Sequence, residues 1–117
     1  MAYVLLVVEK VGDRAARSES EGSALYDRML RFSASLKERG LLTLSQSLKT
    51  DGAGVRFKKT GEPSVVRDGP FAEAKEMIGG FLLLTCNTRE EAVAIARECP
   101  ATEWAAIEVR EFGPCFQ

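Results

Sequence analysis

The chain has 117 residues, of which 45% are apolar and 28% are charged, as is typical of one soluble globular domain. Its formal charge of −1 gives no general attraction for nucleic acid, so we expect no direct nucleic-acid binding. The absence of histidine excludes serine–histidine and cysteine–histidine catalytic machinery and removes the commonest metal ligand. We therefore expect no metal and no cofactor, and any proton transfer must use a carboxylate, lysine, tyrosine or cysteine.

The first half of the chain predicts a strand and a helix. Residues 3–8 are all apolar, which indicates a strand covered on both faces. From about Ser23, apolar residues at steps of four, three and four predict an amphipathic helix that ends at Gly40. Ser18 and Glu21 have the spacing of a capping box, but Gly22 inside the first turn leaves the position of the helix start open.

Residues 41–48 alternate and predict a second strand, with Gln46 on the same face as Leu42, Leu44 and Leu48. A polar amide on a leucine face has two interpretations. Either the strand bends or bulges at Gln46, or the amide points into a ligand-binding cleft.

The second half predicts a hairpin, a strand, a helix and a final strand. Two short basic segments, Val55–Lys58 and Ser64–Arg67, flank a turn at residues 60–63, and their arginines are interpreted as charges that protect exposed edges. Residues 81–84 are again apolar on both faces. A capping box then opens a helix that Pro100 ends, and residues 105–112 alternate as a last strand.

Apart from the hairpin, this order is the split βαβ pattern of a ferredoxin-like α+β fold. In that fold the first and third strands are central, and they are the two segments here with apolar residues on both faces. Helices cover only one face of such a sheet, so the other apolar face needs a partner. We therefore predict a homodimer that packs sheet against sheet as a dimeric α+β barrel.

Residues 68–76 read Asp-Gly-Pro-Phe-Ala-Glu-Ala-Lys-Glu, and the motifs Ile-Gly-Gly-Phe at 78–81 and Ile-Glu-Val-Arg at 107–110 follow in order. Together they resemble the YCII-related (YciI-like, DGPF-domain) family over most of the chain. The resemblance implies one domain over residues 1–117 and a dimeric α+β barrel. It also implies two kinds of function, because some relatives act on small ring compounds, including by dehydrochlorination, and others are associated with extracytoplasmic-function sigma factors. The histidine–aspartate dyad of the YciI-like branch cannot be transferred to a chain without histidine.

The charged loop supplies the candidate catalytic residues Asp68, Glu73 and Lys75. Asp68 is either a structural acceptor for backbone N–H groups of the turn or a general base in a pocket. If the loop makes a helical turn, Glu73 and Glu76 share one side and Lys75 points elsewhere. The alternatives for this group are a solvated run of charges and a carboxylate–lysine pair in a cleft.

On the last strand, Glu108 and Arg110 lie opposite two apolar residues and therefore on the face away from the helices. With Gln46 they are the candidate substrate-binding residues, and a structural ion pair at the dimer edge is the alternative. Cys86 is expected to pack as a small apolar group. With no secretory leader and no membrane span in the sequence, we expect a cytoplasmic protein with reduced thiols.

Two functions remain open from the sequence. One is acid–base chemistry of the isomerase or lyase type on a small molecule, with Asp68 as the base and Lys75 or Arg110 stabilising negative charge. The other is a non-catalytic regulatory or binding module that associates with an extracytoplasmic-function sigma factor, with the basic hairpin as its docking edge.

Overall fold

The computed structural model describes residues 2–59, 65–71 and 73–116. Within them lie two helices, α1 (Glu19–Glu38) and α2 (Arg89–Glu98). The strands of the same residues are β1 (Tyr3–Lys10), β2 (Leu42–Ser47), β3 (Val55–Lys58), β4 (Val65–Asp68), β5 (Glu76–Leu84) and β6 (Ala106–Glu111). Short 3-10 turns occur at Asp51–Ala53 and Pro100–Glu103.

Four strands form an antiparallel sheet in the order β2-β5-β1-β6, and β3 pairs with β4 in a separate hairpin. The two strands that are apolar on both faces, β1 and β5, are the central ones. This topology confirms the predicted ferredoxin-like α+β fold with an inserted hairpin. The predicted turn at residues 60–63 lies outside the described residues.

The core lies between the two helices and one face of the sheet, here called the helix side. Inward residues of β1 and β5 alternate along each strand, as the period of two requires. Fully buried members of this core are Leu5, Leu36, Leu82, Leu84 and Cys99. No helix among the described residues is long and apolar enough to cross a membrane.

Helix α1 begins at Glu19, directly after the capping-box residue Ser18, which decides the start that the sequence left open. Ser18 and Glu21 form the complete capping box, in which each side chain accepts a hydrogen bond from the other residue's backbone N–H. The box satisfies two of the free N–H groups of the first turn, and this outweighs the low helix propensity of Gly22.

The irregularity in strand β2 lies at residue 43, three residues before the bend or bulge predicted at Gln46. The register slips between Leu42 and Leu44, which pair with Leu84 and Leu83 respectively, so these two leucines lie on opposite faces. The prediction that they share a face with Gln46 is therefore wrong for Leu42. Gln46 pairs with Phe81 and points away from the helices, where it is exposed.

The other side of the sheet, here called the open face, is strongly apolar. Its side chains are identified by their cross-strand pairing, which keeps partners on one face. They include Val4, Leu6, Val8, Leu44, Ile78, Phe81 and Leu83. Of these, Leu44 and Ile78 are more than 40% exposed, at 44% and 42%. The predicted apolar surface away from the helices is present.

Candidate functional site

A cavity of about 570 Å³ lies between α1 and the helix side of the sheet. We call it the α1 cavity. Much of its wall is apolar and consists of Val7, Leu25, Met29, Leu30, Leu82 and Trp104. Its polar lining residues are Glu9, Arg14, Arg17, Tyr26, Ser33, Ser45, Ser47 and Gln46, the last of which was predicted from the sequence as a substrate-binding residue. A concave, mainly apolar space with a few convergent polar groups is the usual form of a small-molecule site.

The charged feature of this wall is an ion pair between Glu9 and Arg14. Glu9 is 6% exposed, and its carboxylate accepts hydrogen bonds from Arg14 Nε at 2.7 Å and Nη2 at 3.2 Å. The same guanidinium donates to the backbone oxygens of Leu48 at 2.7 Å and Gly79 at 3.1 Å. Arg14 thus ties the end of β1 to β5 and to the end of β2, and the buried carboxylate is neutralised.

The approach of this pair to β5 depends on Gly79. The β1–β5 register shifts so that Val7 pairs with Gly80 and Val8 with Ile78, which leaves Gly79 as the extra residue of a bulge. A Cβ on Gly79 would lie 2.0 Å from Glu9 Oε2. Glycine is therefore the residue that leaves room for the buried carboxylate at this position.

Hydroxyl groups line the opposite wall. Ser45 on β2 donates to Ser33 on α1 at 2.9 Å, which joins helix and strand across the cavity floor. The Tyr26 ring, 52% exposed, lies at the mouth. Trp104 lies beneath the guanidinium of Arg28, 5.3 Å from the ring centroid, and Arg28 pairs with Glu103. These contacts fix the aromatic edge of the cavity.

Sequence reasoning placed Arg14 and Arg17 in a polar loop and did not single out Glu9. One signal for Glu9 was available. It continues the period-two series of inward positions that begins at Tyr3, so a strand through residue 9 places its carboxylate in the core. A buried carboxylate requires a cation, and Arg14 is the first arginine in the chain.

The Asp68 loop is built around Phe71, which is 8% exposed. The acceptor for the Phe71 N–H is Asp51 Oδ2 at 3.3 Å, a role that the sequence assigned to Asp68 as its structural alternative. A Cβ on Gly69 would lie 1.7 Å from the Asp51 carbonyl oxygen, so the loop passes too close to the 51–54 turn for any larger residue. Asp68 itself is exposed and pairs with Val55 across the hairpin.

Glu73 lies against the hairpin arginines. Its carboxylate accepts from Arg67 Nη1 at 2.7 Å and Nη2 at 3.0 Å, and from Arg56 at 3.4 Å. Hydrogen bonds from Arg67 lower the pKa of the Glu73 carboxyl group to about 2. Both guanidinium groups also lie over the Phe71 ring, at 4.1 and 5.9 Å. The interpretation of Arg56 and Arg67 as simple edge charges is therefore wrong, because they clamp the loop onto the hairpin.

The structure does not bring the remaining predicted site residues to one place. Glu76 begins β5, so Glu73 and Glu76 do not share a helical turn. Lys75 is exposed, and among the described residues no hydrogen bond or ion pair joins its side chain to Asp68 or Glu73. Asp68 does not line the α1 cavity. A catalytic role for Asp68, Glu73 and Lys75 stays a prediction.

Glu108 and Arg110 lie on the open face, as predicted, and form an exposed ion pair at 3.1 Å. They sit on the edge strand opposite the one that carries Gln46, with β1 and β5 between them. Cys86 is buried, and burial raises the pKa of its thiol and of the Cys99 thiol. The thiolate fraction of both is therefore small at neutral pH, which agrees with packing roles.

Fold and cavity together define a class: a ferredoxin-like α+β protein with a ligand-sized space between its first helix and its sheet. The chain belongs to the YCII-related domain family, whose model matches residues 1–114. The family assignment suggested by the sequence motifs is thereby confirmed. The chain is also 29% identical over 98 residues to the uncharacterized protein R00369 of Rhizobium meliloti (strain 1021), a match that covers 84% of this chain and 79% of that protein.

Proposed function

We propose that the protein binds a small, largely apolar ring compound in the α1 cavity and performs acid–base chemistry on it. The observation that carries the proposal is the cavity itself, about 570 Å³ of space whose wall combines apolar side chains with a buried carboxylate. A volume of this order is in the usual range for small-molecule sites. Because the chain has no histidine, another group must act as the base, and a carboxylate can accept a proton from a carbon next to a carbonyl group.

Glu9 is the base of this proposal. Its carboxylate lines the cavity, and the Arg14 guanidinium holds it in one orientation through two hydrogen bonds. In the reaction a C–H bond next to a carbonyl breaks, the proton goes to the carboxylate, and the electron pair becomes an enolate. Return of the proton to another carbon gives isomerisation, and loss of a leaving group gives elimination.

Binding is tested with 2-naphthamide, a neutral ring probe, by ligand-observed NMR and calorimetry. The Gly22→Leu variant should abolish binding, because Gly22 lines the cavity and a Cβ there meets no atom within 4 Å, so the longer side chain can fill space without a clash. The matched control is Ala24→Leu, an exposed α1 position that does not line the cavity. Equal affinity of wild type and Gly22→Leu would refute the site.

Catalysis is tested with 1-tetralone in D₂O, by following deuterium exchange at the carbon next to its carbonyl. Wild type and Ala24→Leu should accelerate exchange, and Glu9→Gln should remove the acceleration while the fold, checked by circular dichroism, is retained. The variant Asp68→Asn decides between the two proposed bases. If Asp68→Asn removes exchange and Glu9→Gln does not, the base is the one predicted from the sequence.

Homodimerisation through the open face is part of the proposal. The apolar side chains of that face have the composition of an interface core, and the radius of gyration of one chain is 16.0 Å. A compact domain of 100 residues has a radius of gyration of about 13 Å, so the single chain is flat and extended. A second copy packed on the open face would complete a compact barrel.

The hairpin favours a second function, association with an extracytoplasmic-function sigma factor. One hairpin face carries Phe57 and Val66, which pair with each other and are 74% and 66% exposed. The test is purification of the sigma factor with the tagged protein from cell extract. Recovery should be lost on Phe57→Ser and kept on Lys58→Ser, and recovery of no sigma factor by wild type would refute it. A cytoplasmic location is part of both proposals.

A further inference from the structure

The charges on the wall of the α1 cavity do not cancel. Glu9, Arg14 and Arg17 are the charged residues among its lining residues. Glu9 and Arg14 neutralise each other in a pair at 2.7 Å. One positive charge, that of Arg17, is left over on a wall whose other lining residues are uncharged.

Arg14 is not available to a ligand. Its guanidinium already donates to both carboxylate oxygens of Glu9 and to the backbone oxygens of Leu48 and Gly79. A ligand that recruited Arg14 would have to displace those partners and leave Glu9 buried without its cation, which is costly.

Arg17 is different. It is half-buried, and within the part of the chain that the structure describes it has no hydrogen bond or ion pair through its guanidinium. One acid that interacts electrostatically with Arg17 is Glu21, whose carboxylate accepts a hydrogen bond from the backbone N–H of Ser18 in the capping box. Arg17 contributes to the lowered pKa of Glu21, but only as a minor cause behind the hydrogen bonds from Ser18.

The surroundings of Arg17 carry charges of both signs, since the first turn of α1 also contains the acidic residues Glu19 and Glu21. Arg17 immediately precedes the N-cap of α1, and the N-terminal end of a helix of 20 residues attracts negative charge. An arginine in a concave, partly dry wall offers a planar set of donors that matches a carboxylate.

We propose that Arg17 is the specificity-determining residue of the α1 cavity and that it selects ring compounds bearing a carboxylate. This inference rests on the proposed function and names its substrate class. The ring occupies the apolar wall formed by residues such as Leu25 and Leu82, and the carboxylate of the ligand accepts from Arg17 at the mouth. Glu9 keeps its hydrogen bonds from Arg14 and remains the base of the proposed chemistry.

The experiment compares 2-naphthoate with 2-naphthamide, which share a ring system and differ in charge. Wild type should bind the carboxylate about tenfold more tightly or better, as a charge-assisted hydrogen bond in a partly dry site gives. Arg17→Gln should reduce this preference to within about twofold without weakening the amide, and Arg17→Lys should restore part of it. Added salt should weaken naphthoate binding to wild type and leave naphthamide binding unchanged.

The matched control is Arg31→Gln, an exposed arginine of α1 that does not line the cavity, and it should keep the full preference. Equal binding of both probes to wild type would overturn the inference and leave the proposed function standing. A preference for 2-naphthoate over 2-naphthamide that persists in Arg17→Gln would have the same consequence. If neither probe binds wild type more tightly than Gly22→Leu, the proposed function fails and the inference falls with it.

Discussion

Replacement of Arg14 by methionine gives the sharpest test of the wall of the α1 cavity. The substitution keeps much of the aliphatic volume and removes every donor that reaches Glu9, Leu48 and Gly79. The Glu9 side chain, 7% exposed, is left with a charge and no cation. Breaking one side of a buried pair costs about 3–5 kcal/mol, and the 29% exposure of the Arg14 side chain places the expected loss near the lower limit, at about 3 kcal/mol.

The assay is urea unfolding at a fixed protein concentration, because the proposed dimerisation would make stability depend on concentration. The free energy of unfolding in water should fall by about 3 kcal/mol, and in a parallel thermal scan the melting temperature should fall by about 12 °C in a domain of this size. Glu9→Gln alone should cost less, about 1–2 kcal/mol, since the remaining arginine is partly hydrated. In the double variant the two losses should not add, and the coupling energy should be at least about 1 kcal/mol.

The control is Arg39→Met, which breaks the exposed pair of Arg39 with Glu98, whose side chains are 47% and 54% exposed. Exposed pairs contribute about 0–1 kcal/mol, so this variant should be close to wild type. If Arg14→Met is no less stable than Arg39→Met, the buried pair does not organise the cavity wall, and the base assignment loses its structural support.

Three further predictions follow from contacts elsewhere. Gly69→Ala should destabilise the chain by several kcal/mol in thermal unfolding, because its Cβ would lie 1.7 Å from a backbone oxygen, whereas Gly113→Ala, with no neighbour within 4 Å, should be neutral. The pKa of Glu73 is about 2 instead of the ordinary 4.5, so its contact with Arg67 stabilises the fold fully above pH 4.5 and is lost as the pH falls toward 2. In Glu73→Gln the free energy of unfolding should therefore depend less on pH between 4.5 and 2. An unchanged pH dependence in this variant would contradict the contact. Leu44→Glu on the open face should convert a dimer to a folded monomer in sedimentation, and a dimer of undiminished affinity would exclude that face.

The fold was predictable because its determinants are local and repeated. Two strands apolar on both faces identify the central pair of the sheet, and helix α2 begins after the capping residue Thr88 and ends before Pro100 as its sequence indicates. Which side chains of β2 face the helices could not be predicted from the sequence. A slip of one residue between Leu42 and Leu44 exchanges the two faces, and neither glycine nor proline marks the position.

The candidate site was predictable only in part, because its residues come from segments that are far apart in the sequence. The charged residues at 68–76 are contiguous in the sequence, so they are easily recognised as a candidate site. In the structure, however, Glu73 accepts hydrogen bonds from a hairpin arginine and attaches the loop to the hairpin. The α1 cavity is assembled from distant segments, with Arg14 contacting Gly79 across 65 positions. No local pattern contains that contact, and only the inward position of Glu9 on β1 hints at it.

The cavity exists because the two ends of the α1–sheet contact are filled differently. At the C-terminal end of α1, Leu36 is fully buried against the large side chains of the core, and it is the only residue of this helix that the structure describes as buried. At the N-terminal end the helix carries Gly22, and Ser33, about one turn before Leu36, also lines the cavity together with Ser45 on β2. These small residues leave space between the helix and the sheet, and Glu9, the one buried carboxylate among the described residues, lies at its wall. Filling the same space with leucines would give a more stable fold, so the open space and the buried ion pair at its wall support the proposed ligand site.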